Sequence, residues 1–146
     1  MHIRRARKVD DELAAAFERL ILQLTANHPP PTREELEALM TSASSILLVA
    51  RHPNGHGAIV GAATLIIYRV PTGIRARIED VVVDEAMRGK GIGEALVREA
   101  LRLAREDGAD SVALTSSPRR EAANWLYQKV GFKRWKTNLY LYKFEQ

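Results

Sequence analysis

Cysteine is absent from this 146-residue chain, which excludes disulfides, zinc–thiolate sites and a covalent acyl-cysteine intermediate. Long apolar runs are missing too. The longest, residues 58–68, falls well short of the ~20 residues that a membrane helix needs. No apolar signal core follows the opening Met1-His2-Ile3-Arg4-Arg5, so the expectation is a cytoplasmic protein with no membrane partner. Basic helices and RNA-binding signatures are also lacking, and nucleic acid is not expected as a partner. The net charge of +4 has two readings, attraction of phosphates or a solvated arginine-rich surface. Pairs such as Arg98-Glu99 and Arg105-Glu106 favour the surface reading. With no repeats, linkers or low-complexity stretches, residues 1–146 read as a single domain, long enough to bury ~68–70% of its unfolded surface.

What is present concentrates between Val81 and Arg105. The stretch Arg77-Ile78-Glu79-Asp80-Val81-Val82-Val83 ends in β-branched residues, as a buried strand does. Further on, Leu96, Ala100, Leu103 and Ala104 fall on one face of a helix. Between strand and helix lies Arg88-Gly89-Lys90-Gly91-Ile92-Gly93. Glycine allows a tight turn and lets backbone N–H groups approach a ligand, and the first turn of the following helix favours an anion. The segment reads as a pyrophosphate cradle flanked by Arg88 and Lys90, or else as a plain strand-to-helix turn. A Walker loop is ruled out because Gly91, not Ser or Thr, follows Lys90. The dinucleotide fingerprint fails on glycine spacing.

The rest of the chain supplies the frame. A short strand is expected over 2–8, then a helix capped by Asp10 and running to Ala26, with Leu13, Phe17, Leu20, Ile21 and Leu24 inward. Prolines 29–31 stop it, and Thr32 with Glu35 forms a capping box for a second helix to about Thr41. Strands follow over 46–50, 57–69 and 74–83, then the long helix, a stop at Gly108, a strand over 111–115 and a helix over 119–130. Lys133–Trp135 and Leu139–Lys143 are expected to pair as a closing hairpin.

Arg88-x-x-Gly91-x-Gly93 resembles the acetyl-CoA pyrophosphate loop of the GNAT superfamily of N-acetyltransferases. Ala123-Asn124-Trp125-Leu126-Tyr127-Gln128-Lys129-Val130-Gly131-Phe132 is similar to that family's second signature. Ile3-Arg4-Arg5-Ala6 and Asp10 also look like a GNAT first strand and cap, so the resemblance covers the whole chain, as a single-domain, bacterial-type member. It implies an α+β fold with a central mixed, largely antiparallel sheet of about seven strands, splayed at the cofactor site and flanked by about four helices.

The resemblance also implies a chemistry. Acetyl-CoA is the co-substrate, no metal is needed, and a neutral primary amine attacks the thioester directly in a ternary complex. Glu79 is the candidate base, directly or through a water, because it occupies the place where many members put a glutamate. By strand alternation it shares a face with Val81 and Val83, while Asp80, a second candidate base, points the other way. A salt bridge from Glu79 to Arg75 or Arg77 is the competing structural role. Tyr127 is the candidate acid toward the departing thiolate, or else a core residue; Trp125 and Phe132 read as packing residues. Backbone groups of Val81, Val82 and Val83 are expected to pair with the pantetheine arm, and Arg88, Gly89, Lys90, Gly91, Ile92 and Gly93 to hold the pyrophosphate. Where many members carry a CoA-contacting asparagine this chain has Arg120; Arg120 and Asn124 are candidate contacts, with helix-start surface charge the alternative for the arginine. Acceptor choice is expected to lie in residues 27–31 and 136–138. A small amine or amino sugar is the favoured acceptor. A peptide or protein N-terminal amine, or a non-catalytic acyl-CoA-binding role, is the alternative, and a homodimer is possible.

Overall fold

The computed structural model describes residues 1–145. The chain divides into two compact units, Met1–Thr115 and the segment from Ser116 onward. The first unit holds β1 (His2–Arg5), α1 (Asp11–Leu24), α2 (Arg33–Thr41), β2 (Ser45–His52), β3 (Ala58–Val70), β4 (Gly73–Val83), a 3-10 turn at Glu85–Met87, α3 (Ile92–Glu106) and β5 (Ser111–Ala113). The second holds α4 (Glu121–Val130).

Both predicted caps form. Asp10 Oδ1 accepts from Leu13 N at 2.9 Å, filling one of the donors that a helix start leaves open. Thr32 and Glu35 exchange reciprocal bonds of 3.1 and 2.9 Å. The five strands lie in chain order, antiparallel except for the β4–β5 pair, which is parallel. On one face α1 and α2 bury Leu13, Phe17, Leu20 and Leu36 against Leu47, Val49, Ile59, Ala62 and Val82. On the other, Ile92, Leu96, Val97 and Ala100 of α3 are buried, opposite the alternate residues Ala63, Leu65, Ala76 and Ile78 of the sheet, which are buried too. Gly61 makes the close seat possible. A Cβ there would meet Val82 O at 3.1 Å, Leu96 Cδ1 at 3.2 Å and Ile92 Cγ2 at 3.3 Å, so glycine lets the start of α3 press directly on β3.

Three expectations are corrected. The sheet has five strands, not about seven, because residues 133–145 form no strand among the described residues despite their β propensity. The facing of Glu79 is wrong as predicted: β4 carries an extra residue opposite β3, since Ala62 pairs with Val82 but Thr64 with Glu79. Such a bulge breaks the period of two, so Glu79 shares a face with Val82 instead. Trp125 is exposed rather than packed, with Lys129 Nζ 5.3 Å over its ring. Phe132 does pack, edge-on to Tyr127 with ring centroids 6.0 Å apart.

Leu96 is fully buried where α3 meets the sheet. Leu96→Ala is expected to lower the unfolding free energy by about 2–5 kcal/mol, read from urea denaturation followed by circular dichroism.

Candidate active site

The bulge falls at Asp80 and Val81, the two β4 residues that have no partner between the Thr64–Glu79 and Ala62–Val82 pairs. Asp80 has φ 52, the left-handed region, a conformation that aspartate tolerates better than most side chains. On its far side β4 pairs with β5 only from Arg75 to Arg77. From Ile78 to Val83 β4 has no ladder with β5, which ends at Ala113, and Val81, Val82 and Val83 lie in that stretch. Val82 is buried and its two neighbours are half-buried.

The two carboxylates at the bulge differ. Arg77 Nε donates to Glu79 Oε1 at 3.1 Å, and both side chains are partly exposed. This is the ion pair anticipated as the structural role of Glu79. Asp80 keeps an exposed edge, yet desolvation by the surrounding protein and the adjacent Glu79 carboxylate push its carboxyl above the ordinary 3.8, with His28 pulling the other way. His28, read from sequence only as part of a helix stop, thus belongs to the surroundings of Asp80. Its Nδ1 bonds Pro29 O at 2.6 Å, and it lies in the 27–31 segment expected to choose the acceptor.

Beyond Val83 the chain enters the glycine loop. Gly89 has φ 80 and Gly91 φ 79, so both require the left-handed conformation that glycine adopts without strain. A Cβ at either would meet nothing within 4 Å; the loop is open above its backbone. Gly91 is the N-cap of α3 and supplies no side-chain cap, which leaves the first turn to an outside acceptor. Arg88 and Lys90 are exposed beside it, and Arg88 Nε donates back to Val83 O at 3.4 Å. Open glycines, an uncapped helix start and two cations fit the pyrophosphate of a coenzyme A thioester.

Sequence reasoning missed what holds the loop's entrance. Arg19 of α1 donates from Nη2 to Ile59 O at 2.7 Å and from Nε to Asp84 Oδ2 at 3.1 Å. Gln23 donates to Asp84 Oδ1 at 3.5 Å, and its Oε1 accepts from Glu85 N at 2.7 Å. Asp84 Oδ1 also accepts from Ala86 N at 3.3 Å, closing the 3-10 turn. The sequence signal was a polar pair, Arg19 and Gln23, at i, i+4 on α1.

In the second unit, Tyr127 is buried on α4. Burial pushes its phenol above 10.0, partly offset by the Arg120 guanidinium. Arg120 is the N-cap residue of α4 and caps nothing with its side chain. Asn124 Nδ2 donates to Ser117 O and Arg120 O, both at 2.8 Å, so its amide hydrogens hold the helix start and its Oδ1 is what remains for a ligand. No group of side chains suited to a metal ion occurs among the described residues, and no helix among them is long and apolar enough to cross a membrane.

A bulged strand with no ladder on its far side, running into an open glycine loop at an uncapped helix start, has a form that fits an extended phosphorylated ligand. The acetyltransferase (GNAT) family model matches residues 10–132, and the chain belongs to that family. A glucosamine 6-phosphate N-acetyltransferase of Trypanosoma brucei brucei is 42% identical over 80 residues, covering 53% of this chain and 52% of its own length. Glucosamine 6-phosphate N-acetyltransferase 1 of Oryza sativa subsp. japonica is 28% identical over 138 residues, or 90% of this chain and 81% of the relative. The crystal structure of a Trypanosoma brucei acetyltransferase superposes with a TM-score of 0.77 at 28% identity, covering 97% of this chain and 99% of that one. The protein is thus an acetyl-CoA-dependent acetyltransferase.

Two substitutions check the loop. Gly91→Ala is expected to cost about 1–2 kcal/mol of backbone strain and to weaken acetyl-CoA binding about tenfold or more by calorimetry, since the added methyl also enters the cradle. Arg19→Ala leaves the Asp84 carboxylate with Gln23 and the Ala86 amide; the expected result is a several-fold rise in KM for acetyl-CoA with kcat little changed, read from steady-state kinetics.

Proposed function

We propose that the chain acts as one N-acetyltransferase domain that moves an acetyl group from acetyl-CoA to the primary amine of an amino sugar. The observation that carries this reading is the Glu79-Asp80 pair at the β4 bulge, immediately before Val81–Val83, which have no ladder on the β5 side, and the glycine loop. The amino-sugar acceptor is supported by the names of the trypanosomal and rice relatives.

The amine nitrogen attacks the thioester carbonyl carbon, the C–S bond breaks, and the CoA thiolate departs. One proton must leave the amine, whose ordinary pKa near 10.4 keeps it charged at neutrality. A carboxylate whose own pKa lies nearer the working pH takes that proton more readily. On that ground Asp80 is favoured as the base, while the Glu79 carboxylate is engaged by Arg77 in an ion pair. Glu79 then acts through a water or as the partner that raises Asp80. Tyr127 is assigned, from the family resemblance, as donor to the thiolate; its raised pKa keeps the phenol protonated, as a donor must be.

The first test is thiol release from acetyl-CoA with a panel of amines. Turnover with glucosamine 6-phosphate well above that with unphosphorylated glucosamine or with peptide amines is the expected result, and selective turnover of peptide N-termini overturns the acceptor. Asp80→Asn is expected to lower kcat/KM about 100-fold and to abolish the acidic limb of its pH profile, with Glu79→Gln milder; the reverse order assigns the base to Glu79. Asp80 also makes a stability prediction. Because its folded pKa is raised, the native state holds more protons than the unfolded state between 3.8 and that higher value, so Asp80 lowers stability as pH rises through the window. Asp80→Asn is therefore expected to be more stable than the parent at pH 7, with the gain shrinking toward pH 4 in urea titrations.

A further inference from the structure

Between α1 and α2 the chain is tied down as a strap. Asn27 N donates to Thr25 Oγ1 at 3.0 Å near its start, and the capping box of Thr32 and Glu35 fixes its end. Pro29, Pro30 and Pro31 fill the middle, each with φ set by its own ring. The strap carries one titratable side chain, His28, which is exposed. Its Nδ1 lies 2.6 Å from Pro29 O. A carbonyl oxygen only accepts, so Nδ1 carries the hydrogen, and in the neutral ring the free lone pair is on Nε2.

Two elements face this ring. Its charge is felt at Asp80 of β4 and at Glu35 of α2, drawing both carboxyls downward. The strap, the start of α2 and the β4 bulge all belong to the first unit, Met1–Thr115. Around Asp80 the other candidate proton acceptors are engaged. Glu79 is paired with Arg77, and Glu35 accepts from Thr32 N at 2.9 Å. Nε2 of His28 has no hydrogen-bond partner among the described residues. No direct bond joins it to Asp80 there either, so a proton passing between the two crosses a bridging water.

An acceptor amine has to reach Asp80 at the carboxylate's exposed edge, and a bound acceptor closes that edge to solvent. The proton taken from the amine then needs a second way out. We propose that His28 is that exit: Asp80 hands the proton through a water to His28 Nε2, and the exposed ring releases it to solvent. The steps balance. An N–H bond of the ammonium breaks as an O–H bond forms on Asp80. That O–H bond breaks as Nε2–H forms, and solvent water takes the proton, so both residues return to their starting states. Imidazole suits this task because it both takes and releases a proton near neutrality. The relay rests on the reading of Asp80 as the base; His28 acts through Asp80 and touches none of the reacting atoms.

The test compares turnover of the best amine from the panel, in dilute buffer, by the parent, His28→Ala, Asp80→Asn and the double variant. His28 is exposed, so its replacement leaves the core untouched. His28→Ala is expected to lose about 10-fold in kcat, less than the ~100-fold that removing a direct base costs, with KM for acetyl-CoA unchanged. Added imidazole is expected to restore that rate in proportion to its concentration and to leave the parent's rate alone. In the Asp80→Asn background, His28→Ala is expected to cost nothing further, because the two residues act in series. The relay is overturned, with acetyl transfer left standing, by a His28→Ala chain as fast as the parent. A loss that imidazole does not restore, or losses that multiply in the double variant, overturn it equally. A parent chain that turns over no amine, or Asp80→Asn as fast as the parent, instead removes the reading on which the relay rests, and the relay with it.

Discussion

From Thr64 back to Ala62, β3 moves two residues while β4 moves three, from Glu79 to Val82. That one extra residue sets how everything downstream is placed. It shifts the alternation so that Val82 joins Ala62 in the core beneath α1, and it puts Asp80 into a left-handed conformation beside Glu79. Bulges also bend and twist the strand that carries them, and here β4 makes its last pairing with β5 at Arg77, ahead of the bulge. The consequence is a stretch of backbone with two carboxylates at one end and an open glycine loop at the other.

The loop in turn depends on contacts far from it in sequence. Gly61 lets α3 sit against β3, and Arg19 and Gln23 of α1 grip Asp84 at the loop's entrance. Helix dipole and glycine conformation suit the loop to an anion, but Arg19 and Gln23 of α1 and the backbone of β3 fix where the loop stands relative to the end of β4. Electrostatics at the bulge work in the opposite sense. Like charge and desolvation raise Asp80, a strain on the ionised form that a general base turns to use.

Local signals carried most of the frame. Asp10, Thr32 with Glu35, and the β-branched runs placed α1, α2 and β2 to β4 within a few residues of where they lie, because caps and periodicity are short-range physics. The turn geometry of the glycine loop was legible for the same reason: the left-handed conformations at Gly89 and Gly91 are ones that glycine spacing announces. What was not legible came from pairing between distant segments. No rule of alternation foresees a bulge, so Glu79 was placed with Val81 and Val83 rather than with Val82. The last strands were expected from propensity alone, yet a strand exists only against a partner, and residues 133–145 form none among the described residues. Trp125 reads as a packing residue in the sequence, and it is exposed. The clamp of Arg19, Gln23 and Asp84 spans more than sixty residues and has no sequence motif.

The central claim is that acetyl-CoA lies along the side of the β4 end that has no ladder with β5, with its pyrophosphate in the glycine loop. Titrating acetyl-CoA into isotope-labelled protein and following backbone amide resonances tests it directly. The account predicts saturable shifts concentrated at Val81–Val83 and at Gly89, Gly91 and Gly93, with ATP producing much weaker ones. Saturable binding that leaves those amides unmoved, or no binding at all, would contradict it.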